Sequence, residues 1–448
     1  MRARPFAPLA AVFLMAICDC GAPRVERSPQ VILYVDTDAR LPHTSSPVSD
    51  SAPLFDRIRI EIFLPGGTEP CEQCKREFAL DRETVDDSRA SIGVPEVAST
   101  TGYRARLRLY LAASLDHGEP RPESTIDVTL ALPAVADGEI VEATAFLPTE
   151  RVARPWGTPL DPIAPRSGRP EPRSSTHRYK EPCTKPHDVG NESCVPGGRF
   201  WMGNPNITYT EDSSLGVDRQ RLVHVSPFFV DLHEVTISDY RRFIDDRHLT
   251  TTPRPATSGV GQDDPHFACT WGKPDVLPVN CVAWAQARAY CNWRSRELPS
   301  EAQFEWLHGG TMGTQYIWGN DDPSCRDVIF RESDATIPPT RCAGEPRRPD
   351  SGERDAFFGW SLDVPIVDVV GNLSEWTLDA WDPQGGPCWG SGLFDNPICD
   401  HPARAGSRTV RGGSFRSTTS ELRAALRRPM SETDDADTVG FRCVRPAN

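Results

Sequence analysis

The fold of this chain is most recognisable in the stretch Arg411-Gly412-Gly413-Ser414-Phe415, which continues as Arg416-Ser417-Thr418-Thr419-Ser420-Glu421-Leu422. The continuation contains no cysteine. A thiolate binds soft Cu(I) and takes part in redox reactions, whereas the hydroxyl of Ser417 and the side chain of Leu422 cannot. Thiol-based metal or redox chemistry is therefore excluded at these positions.

Length and composition limit the class of protein. The 448 residues are enough for two or three domains with complete cores. Charged residues at 25% and hydrophobic residues at 38% are typical of a soluble globular protein. The formal net charge of -14 makes nucleic acid and anionic membrane surfaces unsuitable as main partners. The 43 prolines favour loops and extended segments over long helices.

The N-terminus has the pattern of an export signal. Arg2 and Arg4 precede an apolar run over residues 6–17, which is too short to span a bilayer as a permanent helix. Residues 1–20 are therefore interpreted as a signal peptide. Met15-Ala16-Ile17 loosely resembles the start of a bacterial lipoprotein cleavage site, so Cys18 is predicted to be lipidated, with ordinary secretion as the alternative. Either way the mature chain is exported, as a cell-envelope lipoprotein or as a periplasmic or secreted protein.

Export makes disulfide bonds the expected state of the cysteines. Of the fourteen, removing Cys18 and Cys20 leaves twelve, an even number that suits disulfides in an oxidising compartment. Redox or zinc chemistry at Cys71-Glu72-Gln73-Cys74 is the alternative to a structural bridge, but no second such pair or thioredoxin-like pattern supports it. Cys291 and Cys443 are left over, and a bridge between them would tie an early helix to the last strand. The predicted local pairs are Cys71–Cys74, Cys183–Cys194, Cys269–Cys281, Cys325–Cys342 and Cys388–Cys399.

Three regions follow the signal. Residues 28–147 alternate apolar and polar side chains, as in Arg57-Ile58-Arg59-Ile60-Glu61-Ile62, which predicts a small antiparallel β-sandwich with an adaptor or spacer role. Residues 148–186 are rich in Pro, Arg and Ser and predict an extended interdomain linker. Residues 187–448 mix short strands, long loops and a few helices, one of them opened by the capping box Ser300-Glu301-Ala302-Gln303, which predicts an α+β domain.

Nine segments of this last region occur in the order found in one known family. The region resembles the formylglycine-generating enzyme (sulfatase-modifying factor) family, and the resemblance covers about 250 residues but not the N-terminal sandwich. It implies a loop-rich α+β fold related to the C-type lectin fold. The matching segments are Gly197-Gly198-Arg199-Phe200-Trp201-Met202-Gly203, Glu234-Val235-Thr236, Pro278-Val279-Asn280, Ala289-Tyr290-Cys291-Asn292-Trp293, Leu298-Pro299-Ser300-Glu301-Ala302-Gln303-Phe304-Glu305-Trp306, Trp318-Gly319-Asn320, Gly371-Asn372-Leu373-Ser374-Glu375-Trp376, Arg411-Gly412-Gly413-Ser414-Phe415 and Gly440-Phe441-Arg442-Cys443-Val444.

The resemblance also implies a reaction that this chain lacks the groups to perform. Family enzymes oxidise a sulfatase cysteine with copper and two cysteines just after the Arg-Gly-Gly-Ser segment, and those positions are Ser417 and Leu422 here. Copper is therefore not expected, and a non-oxidase binding or scaffolding module is favoured. An enzyme with altered chemistry in the same pocket is the alternative, and formylglycine generation itself is the weakest hypothesis. Sulfoxide synthases, which are other members of the family, bind iron, but this sequence contains no helical His-x-x-x-His pair that would supply such ligands.

Two further features of the family carry over by resemblance. Asp368 and Glu375, with the backbone carbonyls of Gly371 and Leu373, would hold calcium, a hard cation that prefers several oxygen ligands. The alternative is that both carboxylates only make hydrogen bonds. The family also uses a pair matching Cys291 and Cys443 as a structural disulfide.

A candidate ligand pocket lies around the missing thiols, with Arg411, Ser414, Arg416 and Ser417 as its residues. The arginines there could instead pair with nearby carboxylates. The expected partner is a protein, peptide or glycan, with no nucleic acid and with membrane contact only through the lipid anchor.

Overall fold

The structure is a computed structural model that describes residues 29–43, 52–95, 102–136, 138–172, 180–186, 191–203, 220–257, 264–310, 312–331, 342, 344–357, 365–383, 386–390, 392–401 and 406–448. The predicted signal peptide and the lipidation site Cys18 lie outside these residues. Within them, no helix has both the length and the apolar character needed to cross a membrane.

Two four-stranded sheets form the N-terminal region, in the orders β10-β9-β1-β4 and β3-β2-β5-β8, and β6 and β7 form a separate hairpin. Their elements are β1 Gln30–Asp36, β2 Arg57–Phe63, β3 Lys75–Ala79, α1 Arg82–Asp86, β4 Ser91–Pro95, β5 Arg104–Tyr110, β6 Leu115–Asp116, β7 Glu119–Pro120, β8 Ile126–Ala131, β9 Ile140–Phe146 and β10 Arg166–Ser167.

The alternating pattern correctly identifies the buried face of this sandwich. Ile58, Ile60, Leu107 and Leu109 are buried in one core that both sheets share. The predicted antiparallel sandwich has an exception, because β1 and β9 pair in parallel along their full length. Alternation shows which face of a strand is buried, but it carries no information on the direction of the neighbouring strand.

The predicted linker is also more ordered than its composition indicates. Val152, Trp156 and Ile163 bridge to alternate residues of β8, which are Ile126, Val128 and Leu130, and β10 pairs with β9. Val152 is fully buried in the sandwich core. Residues 148–172 therefore belong largely to the sandwich, because a few apolar side chains outweigh the solvated character of the surrounding Pro and Arg.

In its described residues, the C-terminal region is an α+β domain of short strands, three α-helices and long connections. Its sheets have the orders β11-β13-β14-β19, β12-β15-β23, β16-β17 and β21-β20-β18-β22. Its elements are β11 Lys180–Glu181, β12 Glu192–Val195, β13 Gly197–Met202, β14 Arg221–Val225, β15 Phe228–Asp231, α2 Ile237–Arg247, α3 Trp284–Trp293, α4 Glu301–Glu305, β16 Ala356–Phe357, β17 Ile366–Val367, β18 Ser374–Ala380, β19 Leu393–Asp395, β20 Ser407–Arg411, β21 Arg428–Ser431, β22 Val439–Gly440 and β23 Val444–Pro446.

Polar side chains cap the first turns of two of these helices, and the cap at Ser300 is the one expected from the sequence. Thr236 caps α2, accepting a hydrogen bond from the backbone N–H of Asp239 at 3.2 Å. Ser300 caps α4 in the same way, with the N–H of Gln303 at 3.1 Å. Such caps satisfy backbone N–H groups that a helix terminus leaves unpaired.

Six disulfides join the twelve cysteines in the pairs expected from the sequence. Cys291 in α3 is bonded to Cys443, which directly precedes β23, across 152 residues of chain. The other five bridges close loops of 3 to 17 residues: Cys71–Cys74, Cys183–Cys194, Cys269–Cys281, Cys325–Cys342 and Cys388–Cys399. So many bridges indicate folding in an oxidising environment.

The sandwich is docked directly on the C-terminal domain. The indole N–H of Trp201 in β13 donates to the carbonyl of Leu54 at 2.7 Å, and its ring meets Phe55 edge-on at a centroid distance of 5.6 Å. Arg199 donates to the hydroxyl of Thr149 at 2.8 Å. Leu222 of β14 is fully buried within the core of the sandwich.

Candidate functional site

The segment after β20 makes two consecutive left-handed turns. Gly412 and Gly413 have φ values of 93° and 74°, a region that residues with a Cβ rarely adopt. A Cβ on Gly413 would lie 2.7 Å from the Cδ2 of Leu422. The glycines thus let the backbone fold closely over Leu422. Ser417 and Leu422, the residues at the family thiol positions, therefore lie in one small region.

Ser417 is used for structure at this turn. Its side chain is 1% exposed, and its hydroxyl accepts a hydrogen bond from the N–H of Ser414 at 3.0 Å. Its carbonyl accepts from the N–H of Arg331 at 2.9 Å. The hydroxyl is therefore enclosed and already bonded.

Leu422 is part of the apolar core. It is fully buried in a cluster with Tyr316, Val328, Phe330 and Val370. A leucine in such a cluster contributes packing and burial of apolar area rather than a reactive group.

Most residues of the predicted ligand pocket are enclosed in this structure, and the pocket stays a prediction. Ser414 and Arg411 are fully buried, and Arg411 is bonded to Glu305 and to the carbonyl of Leu426 at 2.6 Å. Arg416 is paired with Asp437 at 2.5 Å. The alternative that these arginines pair with carboxylates describes the site correctly, since buried charges need partners.

A buried ion network extends from Arg411. Arg427 donates two hydrogen bonds of 2.6 Å to the Glu301 carboxylate, which is completely buried. Burial alone would raise the pKa of Glu301, but the charges of Arg427 and Arg411 lower it. Burial, reinforced by Glu301, raises the pKa of neighbouring Asp379 to about 7.

A second network surrounds Arg442 at the predicted calcium site. Its guanidinium bonds both oxygens of Glu375, at 2.8 and 2.9 Å from Nε, and also donates to the backbone carbonyls of Val367 and Asp368. Glu234 accepts from the N–H of Leu373 at 2.9 Å. Every one of these groups is buried.

Carboxyl groups outnumber cations in this cluster. Burial, followed by the charges of Asp368 and Glu375, raises the pKa of Glu234 well above its usual value. Burial likewise raises the pKa of Asp355 well above normal and that of Asp368 to about 7. Arg442 is a cation that opposes all of these shifts. Sequence reasoning missed this long-range cluster, although Glu234 and Arg442 each lie in a segment that matches the family.

The donors suit calcium in chemistry but are partly occupied. Excess buried carboxylate oxygens beside backbone carbonyls are what a hard divalent cation requires. Asp368 and the Gly371–Leu373 loop lie together here, with Gly371 at φ 73°. Arg442 already binds the Glu375 carboxylate, so Asp368 and the two carbonyls would supply the remaining ligands. Calcium binding therefore stays a prediction.

His308 lies beneath the same region and was not anticipated. It is fully buried, and its ring meets Phe304 edge-on at a centroid distance of 6.2 Å. Burial, reinforced by the Arg411 charge, lowers the pKa of His308 to about 3. The imidazole is neutral at physiological pH and serves as core.

An open space does occur nearby, between the two domains. A cavity of about 260 Å³ is bounded on one side by Arg40 and Leu54 of the sandwich and on the other by Trp201, Glu305 and Ala424. Clefts at domain interfaces are common ligand sites. Among the described residues, one group of three possible metal ligands converges: Asp382, Cys388 and Cys399. Its two cysteines are bonded to each other in a disulfide.

Comparison with known proteins assigns the C-terminal domain to a family. The model of the sulfatase-modifying factor enzyme 1-like domain matches residues 178–447. The chain belongs to this family. The match begins close to β11, a few residues before the boundary predicted from the sequence, and the loop-rich α+β fold implied by the resemblance is the fold of the C-terminal domain.

Relatives of this family member include both active and inactive proteins. The "Inactive C-alpha-formylglycine-generating enzyme 2" of Mus musculus is 28% identical over 297 residues, covering 56% of this chain and 85% of the relative. The "Formylglycine-generating enzyme" of Bos taurus is 26% identical over 398 residues, covering 79% and 98%. Among solved structures, PvdO from Pseudomonas aeruginosa is 18% identical with a TM-score of 0.44 and covers 60% of this chain and 99% of its own.

Proposed function

We propose that this chain is an exported, lipid-anchored bacterial protein whose sulfatase-modifying factor domain is a non-oxidase binding or scaffolding module. One observation carries the proposal: Ser417 and Leu422, at the positions of the family thiols, are both buried and committed to structure. Neither can ligate Cu(I). The name of the inactive mouse relative supports the proposal, because it shows that the family includes members described as inactive.

The alternative of altered chemistry in the same pocket has less support, because two of its residues are enclosed and the partly exposed Arg416 is already paired with Asp437. A nucleophile or general base must reach its substrate within hydrogen-bond distance. Ser417 is 1% exposed and Arg411 is likewise 1% exposed. A binding role does not require access to the buried Ser417 and Arg411. The ligand would be a protein, peptide or glycan held elsewhere on the domain surface.

Calcium is proposed as a structural ion rather than a reactive one. Asp368, with the carbonyls of Gly371 and Leu373 and one side of Glu375, would hold it, and it would offset the excess buried negative charge around Arg442. Adding calcium should then raise the melting temperature, and EDTA should lower it. A melting temperature that does not respond to either would contradict a bound ion.

The experiment on the central proposal is an aldehyde assay. The disulfide-intact protein is incubated with copper and a peptide carrying the sulfatase cysteine motif, with an active formylglycine-generating enzyme as positive control. We expect no aldehyde from this protein, because two sulfur ligands are missing. Formation of formylglycine by the purified protein would overturn the proposal.

A further inference from the structure

We propose that a polar cleft between α2 and α3 binds a neutral polyhydroxylated ligand, a saccharide. The inference deepens the proposed binding function by giving it a site and a class of ligand. The cleft has a volume of about 210 Å³, and its walls include Asp231, His233, Asp239, Arg242, Trp293 and Arg294. None of the residues that line it belongs to the turn after β20, where the family thiols would lie.

An aromatic wall closes one side of the cleft. Trp293 is partly exposed, and its ring packs 5.6 Å from both Phe243 and Tyr290, measured between centroids. The indole N–H donates to Asp246 at 2.7 Å, which fixes the orientation of the ring. A fixed aromatic face with a wet edge suits the C–H face of a pyranose, which is apolar while its rim is hydroxylated.

The charges that face the cleft are already matched. Asp231 is bonded to Arg294 at 3.0 Å and to Arg296 at 2.5 Å. Asp239 is bonded to Arg242. A charged ligand would have to break one of these pairs, and an unpaired charge left beside Asp231, which is 4% exposed, is costly. Hydroxyl groups both donate and accept, so they can add hydrogen bonds to the remaining lone pairs and N–H groups without separating any pair.

His233 supplies an available acceptor. Its Nδ1 lies 2.7 Å from the carbonyl of Glu234 and therefore carries the proton in that hydrogen bond. The other ring nitrogen, Nε2, is then an acceptor, and it has no hydrogen-bond partner among the residues that the structure describes. A ligand hydroxyl that donates to Nε2 would give the second ring nitrogen of His233 a hydrogen-bond partner.

The test uses the full-length protein and defined sugars. Methyl glycosides of glucose, galactose, mannose and N-acetylglucosamine are titrated by calorimetry, and an array of oligosaccharides is probed in parallel. We expect at least one saccharide to bind, and His233→Ala and Arg242→Gln each to weaken its affinity at least tenfold. Arg241→Gln is the matched control, because Arg241 is also exposed and pairs with Asp275 outside the cleft. Circular dichroism checks that each variant is folded.

Several results would overturn the inference. They are an absence of binding on the array, binding that neither cleft variant weakens, and binding that collapses in 0.5 M NaCl, since that collapse would indicate an anionic ligand. The aldehyde assay separates this outcome from failure of the proposed function. A protein that makes no aldehyde and binds no sugar loses only the saccharide site, whereas a protein that makes aldehyde is not a non-oxidase module.

Discussion

Arg442 is surrounded by buried carboxyl groups that come from distant parts of the chain. It bonds Glu375 directly, and its charge lowers the pKa of Glu234, Asp355 and Asp368 against the larger effect of burial. Neighbours this far apart in sequence leave no local pattern, so the family-like segments alone could not reveal the cluster. Asp368 and Glu375, two of the predicted calcium ligands, are members of this charge network.

Replacing Arg442 with methionine should strongly destabilise the fold. The substitution keeps much of the side-chain volume but leaves Glu375 buried without its partner, so we expect a loss of about 3–5 kcal/mol in the free energy of unfolding. Arg241→Gln, which breaks an exposed pair with Asp275, should cost less than about 1 kcal/mol. Urea unfolding in EDTA measures both, and equal losses would contradict the network.

Asp379 gives the protein a pH dependence of defined sign. Its pKa is raised to about 7 by burial and by Glu301, above its unfolded value, so its contribution to stability is present at low pH and is lost as pH rises towards 7. The unfolding free energy of wild type, relative to Asp379→Asn, should therefore fall by on the order of 2 kcal/mol between pH 5 and pH 8. Urea unfolding at the two pH values tests this, and a relative stability that rises with pH would contradict it.

Short-range signals determine most of the elements. The cap at Ser300 and the local cysteine couples depend on neighbours a few residues apart, so the sequence predicts them correctly. The parallel pairing of β1 with β9 and the docking of Trp156 on β8 depend on distant partners. The pairing of strands in the N-terminal sandwich is accordingly where prediction from the sequence is poorest.

The bridge between α3 and the last strand should be the most stabilising disulfide. Cys291–Cys443 closes 152 residues, whereas Cys71–Cys74 closes 3. Loop-closure entropy predicts a loss of about 4–5 kcal/mol for Cys291→Ser with Cys443→Ser, and less than about 2 kcal/mol for the matched Cys71→Ser with Cys74→Ser. Denaturant unfolding of the two double variants compares them, and a larger loss for the short loop would contradict this ranking.

At the scale of the whole molecule, the sandwich and the family domain form one docked unit. The composition of residues 148–186 predicts a free linker, yet Trp201 and Leu222 of the C-terminal domain are inserted against the sandwich. The apolar residues of each domain can be identified from the sequence. Which part of the surface of one domain is covered by the other domain cannot.

Truncating the docking residue should uncouple the two domains. We expect Trp201→Ala to divide a single calorimetric unfolding transition into two, because it removes the contacts with Leu54 and Phe55. Trp318→Ala is the control, since that ring stacks on Tyr316 within the C-terminal domain. If Trp201→Ala still unfolds in one transition, or if the control divides it as well, the docking is not what couples the domains.

The measurement that tests the non-oxidase interpretation most directly is an anaerobic Cu(I) titration of the disulfide-intact protein against a competing chelator, followed by X-ray absorption at the copper edge. With serine and leucine at the family thiol positions, we predict no Cu(I) bound in competition with the chelator and no copper–sulfur scattering. One tightly bound Cu(I) ion per chain with sulfur ligands from the protein would contradict it.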